Sequence, residues 1–135
     1  MTNKQTNTRV LNILFWTAQS LLAITLIWAS VMKLFQPAVT LAEMWPWTAD
    51  NPGLVKLTGI LDLLAGIGLI VPALLRIYPK LTVYAAFGTI ALMIAAAVFH
   101  IVRGEASQIG VNVFVAGLAG FIAWGRTKKV PIAQK

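Results

Sequence analysis

Four long apolar stretches, each bounded by charged residues, occupy nearly the whole chain. They cover residues 10–32, 57–75, 81–102 and 106–125. The hydrocarbon core of a bilayer is about 30 Å thick and a helix rises about 1.5 Å per residue, so about 20 apolar residues are needed to cross it. Each stretch comes close to that length. The sequence therefore predicts an all-α fold, a bundle of four transmembrane helices.

The composition leaves almost no room for a soluble domain. Hydrophobic residues make up 59% of the chain and charged residues 11%, whereas a soluble domain carries about 25% charged residues. We expect a single domain over residues 1–135, with spans at about residues 10–34, 54–75, 80–102 and 107–125. Such a chain would lie in the cell (inner) membrane as a multi-pass protein, with the lipid bilayer as its first partner.

Basic residues are divided unevenly between the two sides that four crossings would define. All four acidic residues and three of the basic ones fall on one side. Because the bias in Lys and Arg sets orientation, both termini are predicted to be cytoplasmic. The basic residues on the predicted cytoplasmic side are Lys4, Arg9, Arg76, Lys80, Arg126, Lys128, Lys129 and Lys135.

The connection between the first two spans is long and contains prolines and tryptophans. Proline interrupts a regular helix, and tryptophan favours the headgroup level of a bilayer. We therefore expect a short interfacial helix or loop on the outer face, with Trp45 and Trp47 as interfacial anchors. A lid over a ligand is the alternative role for these two side chains.

One carboxylate falls inside a predicted span. Asp62 lies about 9 Å beyond Lys56 by helical rise, and an ionised carboxylate at such a depth costs several kcal/mol unless it is paired or protonated. Lys33, at the outer end of the first span, is the expected partner. His100 and Arg103 on the third span and Asn112 on the fourth reach a similar depth. The candidate polar site is therefore Lys33, Asp62, His100, Arg103 and Asn112.

This cluster has two interpretations. In the first it is a structural clasp, in which Lys33 and Asp62 neutralise each other and Asn112 forms a hydrogen bond across helices. In the second it binds a small polar headgroup, such as a quinone carbonyl, or passes protons between Asp62 and His100, because ionisable residues inside a membrane often have a function. No catalytic residue is assigned, and whether the protein is an enzyme stays open.

Several classes of site are excluded by residue types. The chain has no cysteine and one histidine, so thiol chemistry, disulfides and a haem held by two histidines of one chain are excluded, and a zinc site would lack ligands. We expect no metal site. The net charge of +7 is concentrated at helix ends, which fits lipid headgroups rather than nucleic acid.

Several short motifs occur in an order that resembles the DoxX-like family of small four-helix membrane proteins. They are Ala29–Leu34, Leu57–Pro72, Ala85–Gly88, Phe99–Glu105, Asn112 and the closing Trp124–Arg126. The resemblance covers residues from about 30 to 126. By matching position it implies that the family's lysine is Lys33, its acidic residue Asp62, its histidine His100 and its Arg-Gly-Glu turn Arg103, Gly104 and Glu105.

The resemblance implies little about activity. The family is named after a membrane subunit associated with a thiosulfate–quinone oxidoreductase, and most members have no assigned activity. This chain departs from the family pattern at two positions, with Asp62 where Glu is more common and Ser30 where Gly is.

Three hypotheses follow from the cluster and the resemblance. The protein is a quinone- or redox-linked membrane subunit, a non-catalytic membrane scaffold or assembly factor, or a small proton-coupled transporter. The first two imply a membrane or redox protein partner. The third implies a homo-oligomer, because four helices would form a transporter only as a dimer.

Overall fold

The computed structural model describes residues 3–135. Within that range the chain is helical and has no β-strand, so the all-α prediction is confirmed. The α-helices are α1 (Asn3–Phe35), α2 (Ala38–Met44), α3 (Pro52–Leu75), α4 (Lys80–Val102) and α5 (Gly110–Trp124). Short 3-10 turns cover Pro46–Asp50 and Ala106–Gln108, and a π-helical turn over Gly125–Lys129 continues α5.

The helix bounds differ from the predicted spans mainly where the first and the last of the long helices begin. α1 begins at Asn3 rather than near residue 10, because polar residues also form helix and the prediction followed only the apolar run. α5 begins at Gly110 rather than near residue 107, because residues 106–108 form a 3-10 turn. The expected short helix in the first connection is present as α2.

Three of the helices, α1, α3 and α4, are long and apolar enough to cross a membrane. α5 has 15 residues, fewer than the roughly 20 that a crossing needs, although the π-helical turn lengthens it. The fourth crossing therefore stays a prediction.

The four longer helices form a ring, in which α1 and α4 each contact both α3 and α5. Small residues let these helices approach closely, which matters in lipid because apolar surface there gains little from burial between helices. A Cβ at Gly66 on α3 would lie only 2.6 Å from Ile27 Cγ1 on α1. The buried core comprises Ala18, Leu22, Ala23, Leu26, Leu69, Ala86, Val115, Ala119, Ile122 and Ala123.

The bundle has two ends with different connections. We call the end formed by residues 36–51 and 103–109 the loop end. The opposite end is the terminal end, formed by the start of α1, the turn at residues 76–79 with the start of α4, and the tail at residues 126–135. The tail is held against the turn, because Arg76 Nε donates to the carbonyl of Ala133 at 2.9 Å and the Lys135 amide donates to the carbonyl of Arg76 at 2.8 Å.

Candidate functional site

At the loop end, Lys33 and Asp62 form an ion pair between α1 and α3. Lys33 Nζ lies 2.8 Å from Asp62 Oδ2, and the two side chains are 14% and 4% exposed. Gly59, one turn before Asp62, lets α1 come close, since a Cβ there would lie 3.1 Å from the Cβ of Lys33. The pairing expected from the sequence is therefore present.

Two tryptophans lie over this ion pair. The ring centroids of Trp45 and Trp47 are 6.0 and 5.9 Å from Lys33 Nζ, at the outer limit of a cation–π contact. The backbone that carries them is held by local hydrogen bonds, from Thr48 Oγ1 to the carbonyl of Trp45 and from Asn51 Nδ2 to the carbonyl of Trp47, both 2.8 Å. The two indoles thus cover the pair, and their role as membrane anchors stays a prediction.

His100 and Arg103 form a second cluster around Glu105. His100 Nδ1 lies 3.1 Å from Glu105 Oε1, and Arg103 Nε donates to the same oxygen at 3.0 Å. Gly104, with φ of +80°, folds the chain back so that Glu105 reaches the end of α4. The hydrogen bond from His100, together with Arg103, holds the pKa of Glu105 below its usual range.

The expectation that the five predicted polar residues converge on Asp62 is therefore wrong in part. His100 and Arg103 make their polar contacts with Glu105 instead, because the tight turn places that carboxylate nearer. Asn112 has no side-chain hydrogen bond to any residue in the described range 3–135, so the expected bond across helices is not made. Glu105, which the resemblance places in an Arg-Gly-Glu turn, is half-buried.

A single indole connects the two loop-end clusters. The Trp47 ring lies 5.9 Å from Lys33 Nζ, and its centroid is 5.7 Å from that of Phe99 and 6.4 Å from that of His100, both in edge-on geometry. Lys33 and His100 therefore border the same indole, while each makes its own polar contact, with Asp62 and with Glu105.

The terminal end contains a buried cation, which the charge pattern uses as a topology signal and which also closes the Trp124–Arg126 motif. Arg126 is 4% exposed. Its Nε donates to Gln19 Oε1 at 2.6 Å, and its Nη1 donates to Asn12 Oδ1 at 2.8 Å and to the carbonyl of Val130 at 3.0 Å. Within residues 3–135, Arg126 Nη2 is the one buried side-chain nitrogen or oxygen without a hydrogen-bond partner.

Aromatic rings and a glycine position this guanidinium. Its central carbon lies 5.5 and 5.4 Å from the ring centroids of Phe15 and Trp16. The Phe15 ring also packs directly on Gly125, where any Cβ would overlap it. A signal was available in the sequence, because Asn12 and Gln19 are amide side chains about two turns apart within the first apolar stretch.

Further hydrogen bonds tie α1 and α4 to α3 near this end. Gln19 Nε2 donates to the carbonyl of Leu69 at 2.8 Å, and Thr82 Oγ1 donates to the carbonyl of Gly68 at 3.1 Å. The Gly68 carbonyl is free to accept because Pro72, inside α3, has no N–H to donate to it. A proline within a membrane helix is tolerated when a neighbouring side chain replaces the lost bond in this way.

Two cavities open at the terminal end, on either side of the tail. One of about 470 Å³ is lined by residues of α4, Arg126 and the tail, among them Lys80, Thr82, Tyr84, Phe87 and Gln134. The other, of about 690 Å³, is lined by the start of α1, the end of α3 and the tail, and its cations are Lys4, Arg9 and Arg76. Both are bordered by basic residues.

No protein with curated annotation and no solved structure matches this chain. Residues 17–122 match the profile of the DoxX-like family. That range includes α3 and α4 entire and most of α1 and α5, and it agrees with a membrane protein built from apolar helices. The chain therefore belongs to the DoxX-like family.

Proposed function

We propose that this protein is a non-catalytic scaffold or assembly factor that crosses the inner membrane four times, with both termini in the cytoplasm. The terminal end carries eight of the eleven Lys and Arg residues and none of the four acidic side chains, which supports this orientation by the positive-inside rule. α5 and its π-helical continuation run together over residues 110–129, which supports a fourth crossing.

The observation that carries the proposal is that Lys33 and Asp62 already neutralise each other within the bundle. The two charges are in contact at 2.8 Å and nearly buried. They join α1 to α3, and Trp45 and Trp47 cover them. A nearly buried carboxylate that a lysine already neutralises suits a clasp that sets helix register.

The scaffold proposal is tested by comparing Asp62→Asn with the double variant Lys33→Met/Asp62→Asn. Asp62→Asn leaves a buried ammonium unpaired, whereas the double variant removes both charges. We expect the double variant to accumulate in membranes, melt near the wild-type temperature and retain the same cross-linked partner protein. Loss of the partner from a double variant that is otherwise folded would contradict a purely structural role for the pair.

A second candidate, a site for a quinone-type carbonyl, is favoured by the donors left over in the same region. Lys33 has three N–H donors, and within residues 3–135 its side chain makes one hydrogen bond, to Asp62. Within the same residues His100 makes its side-chain hydrogen bond through Nδ1, so its Nε2 has no partner there, and its ring lies edge-on to Trp47. A planar headgroup could stack on the indole and accept from these donors.

The quinone candidate is tested by extracting lipophilic molecules from the purified protein and identifying them by mass spectrometry. A quinone present near one per chain in the wild type, and lost from the folded double variant, supports a redox-linked subunit. Bulk lipid alone in both proteins contradicts it. The proton-coupled transporter has no specific observation in its favour, because Asp62 is the one carboxylate within the long helices and Lys33 already neutralises it.

A further inference from the structure

Arg126 at the terminal end is a buried charge without a counter-charge. Its hydrogen-bond acceptors are two side-chain amide oxygens and one backbone carbonyl, all neutral. Arginine stays protonated in proteins, and a buried charge is costly when nothing neutralises it. No acidic side chain pairs with Arg126 in the described chain, and two of the four acids, Asp62 and Glu105, are occupied at the loop end.

The cavity of about 470 Å³ beside Arg126 gathers further positive charge. Lys80 lines it and opens α4, a helix of 23 residues whose first turn contains no acidic residue. The N-terminus of a helix carries a partial positive charge and attracts anions. A guanidinium, an ammonium and a helix N-terminus therefore act on the same space.

The cavity also has an apolar side that opens along α4. Tyr84 and Phe87 line it and are 63% and 55% exposed. In a membrane these rings would lie against acyl chains next to the headgroup level. The site therefore combines anion-binding groups with an apolar surface that begins beside them.

We propose that this cavity binds the phosphate group of an anionic phospholipid, with Arg126 and Lys80 supplying the positive charge and Tyr84 and Phe87 contacting the acyl chain. Phosphate suits these groups because its several oxygens accept from a guanidinium and an ammonium at once. Free phosphate shares the headgroup chemistry but has no acyl chain, so competition between the two distinguishes the sources. The proposal concerns the end opposite the Lys33–Asp62 pair and holds whether that pair is a clasp or a ligand site.

The test is native mass spectrometry of the full-length protein in detergent, titrated with phosphatidylglycerol or phosphatidylcholine. We expect one phosphatidylglycerol per chain to bind at concentrations where phosphatidylcholine does not. Lys80→Gln should weaken this binding about fivefold, the effect of one cation near an anionic lipid headgroup. Lys128→Gln is the matched control, because it removes the same charge from an exposed position outside the cavity, and it should leave binding unchanged.

Arg126→Gln should weaken binding more than tenfold, because the buried guanidinium bonds more strongly than an exposed ammonium. If that variant does not fold, the comparison of lipid binding by Lys80→Gln and Lys128→Gln still tests the proposal. Displacement of phosphatidylglycerol by millimolar inorganic phosphate would identify free phosphate as the ligand, whereas no displacement supports the lipid. Equal binding of the two lipids by the wild type, or equal weakening by Lys80→Gln and Lys128→Gln, would overturn the proposal.

Discussion

The two ends of the bundle each bury a cation beside aromatic rings, but they neutralise it differently. At the loop end, Lys33 meets the carboxylate of Asp62 at 2.8 Å beneath Trp45 and Trp47. At the terminal end, the oxygens that Arg126 contacts among residues 3–135 are neutral, and one of its nitrogens has no hydrogen-bond partner there. The charge of Lys33 is therefore neutralised by a carboxylate of the same chain, whereas the charge of Arg126 is available to an anionic ligand.

This difference predicts which substitution lowers the free energy of unfolding more. Asp62→Asn leaves the buried ammonium of Lys33 without its counter-charge and should lower the free energy of unfolding by about 3–5 kcal/mol. Arg126→Gln removes the charge itself and leaves neutral amides short of a donor, so about 1–3 kcal/mol is expected. Thermal unfolding of both variants in the same detergent checks the order, and an equal or reversed order would break the comparison.

The terminal end should also be sensitive to shape, because Phe15 packs on Gly125 next to Arg126. Gly125→Ala would place a Cβ into the Phe15 ring and should cost about 1–3 kcal/mol through overpacking. Gly117→Ala is the matched control, since nothing lies within 4 Å of its added Cβ, and it should be neutral or stabilising by up to about 1 kcal/mol. Similar melting temperatures for the two variants would show that the ring moves aside freely.

A smaller effect is expected where α4 joins α3. Thr82→Val removes the hydroxyl that donates to the Gly68 carbonyl and should cost about 0.6 kcal/mol, the average for a hydrogen bond between membrane helices. Pro72→Ala restores an amide donor to that carbonyl, so Thr82→Val should cost less in its presence. Unfolding measured for the four proteins of this double-mutant cycle tests the coupling, and strictly additive effects would refute it.

The smallest effect should come from Glu105, whose pKa is lowered mainly by the hydrogen bond from His100. A carboxylate with a lowered folded-state pKa stabilises the protein above its unfolded-state pKa, about 4.5, and that stabilisation is lost as the pH falls through the folded-state value. Wild type should therefore lose stability relative to Glu105→Gln between about pH 5 and pH 3. Melting temperatures measured at several pH values over this range check the prediction. If the two proteins change by the same amount, the contact between Glu105 and His100 does not contribute to stability.

Features that rest on a strong local rule were predictable from the sequence. α4 has its predicted bounds, 80–102, because a turn with proline precedes it and an Arg-Gly pair follows it. The partner of Asp62 was predictable because a carboxylate within a span needs a nearby cation, and Lys33 lay at the right depth.

The remaining features depend on backbone geometry that cannot be inferred from the spacing of residues in the sequence. Glu105 reaches His100 because Gly104 adopts a positive φ, and no periodic pattern reports that turn. Arg126 resembled its exposed neighbours Lys128 and Lys129, but the π-helical turn and Gly125 place it in the bundle against Gln19. A count of charges in the sequence does not distinguish the buried Arg126 from the exposed Lys128 and Lys129.

The most direct test of the contrast between the two ends is the double-mutant cycle of Lys33→Met and Asp62→Asn, followed by thermal unfolding in detergent. If the pair is a self-contained clasp, the double variant recovers most of the stability that Asp62→Asn alone loses, because no charge is left unpaired. If the losses of the two single variants simply add in the double variant, the pair is not a closed unit and the account of the loop end is wrong.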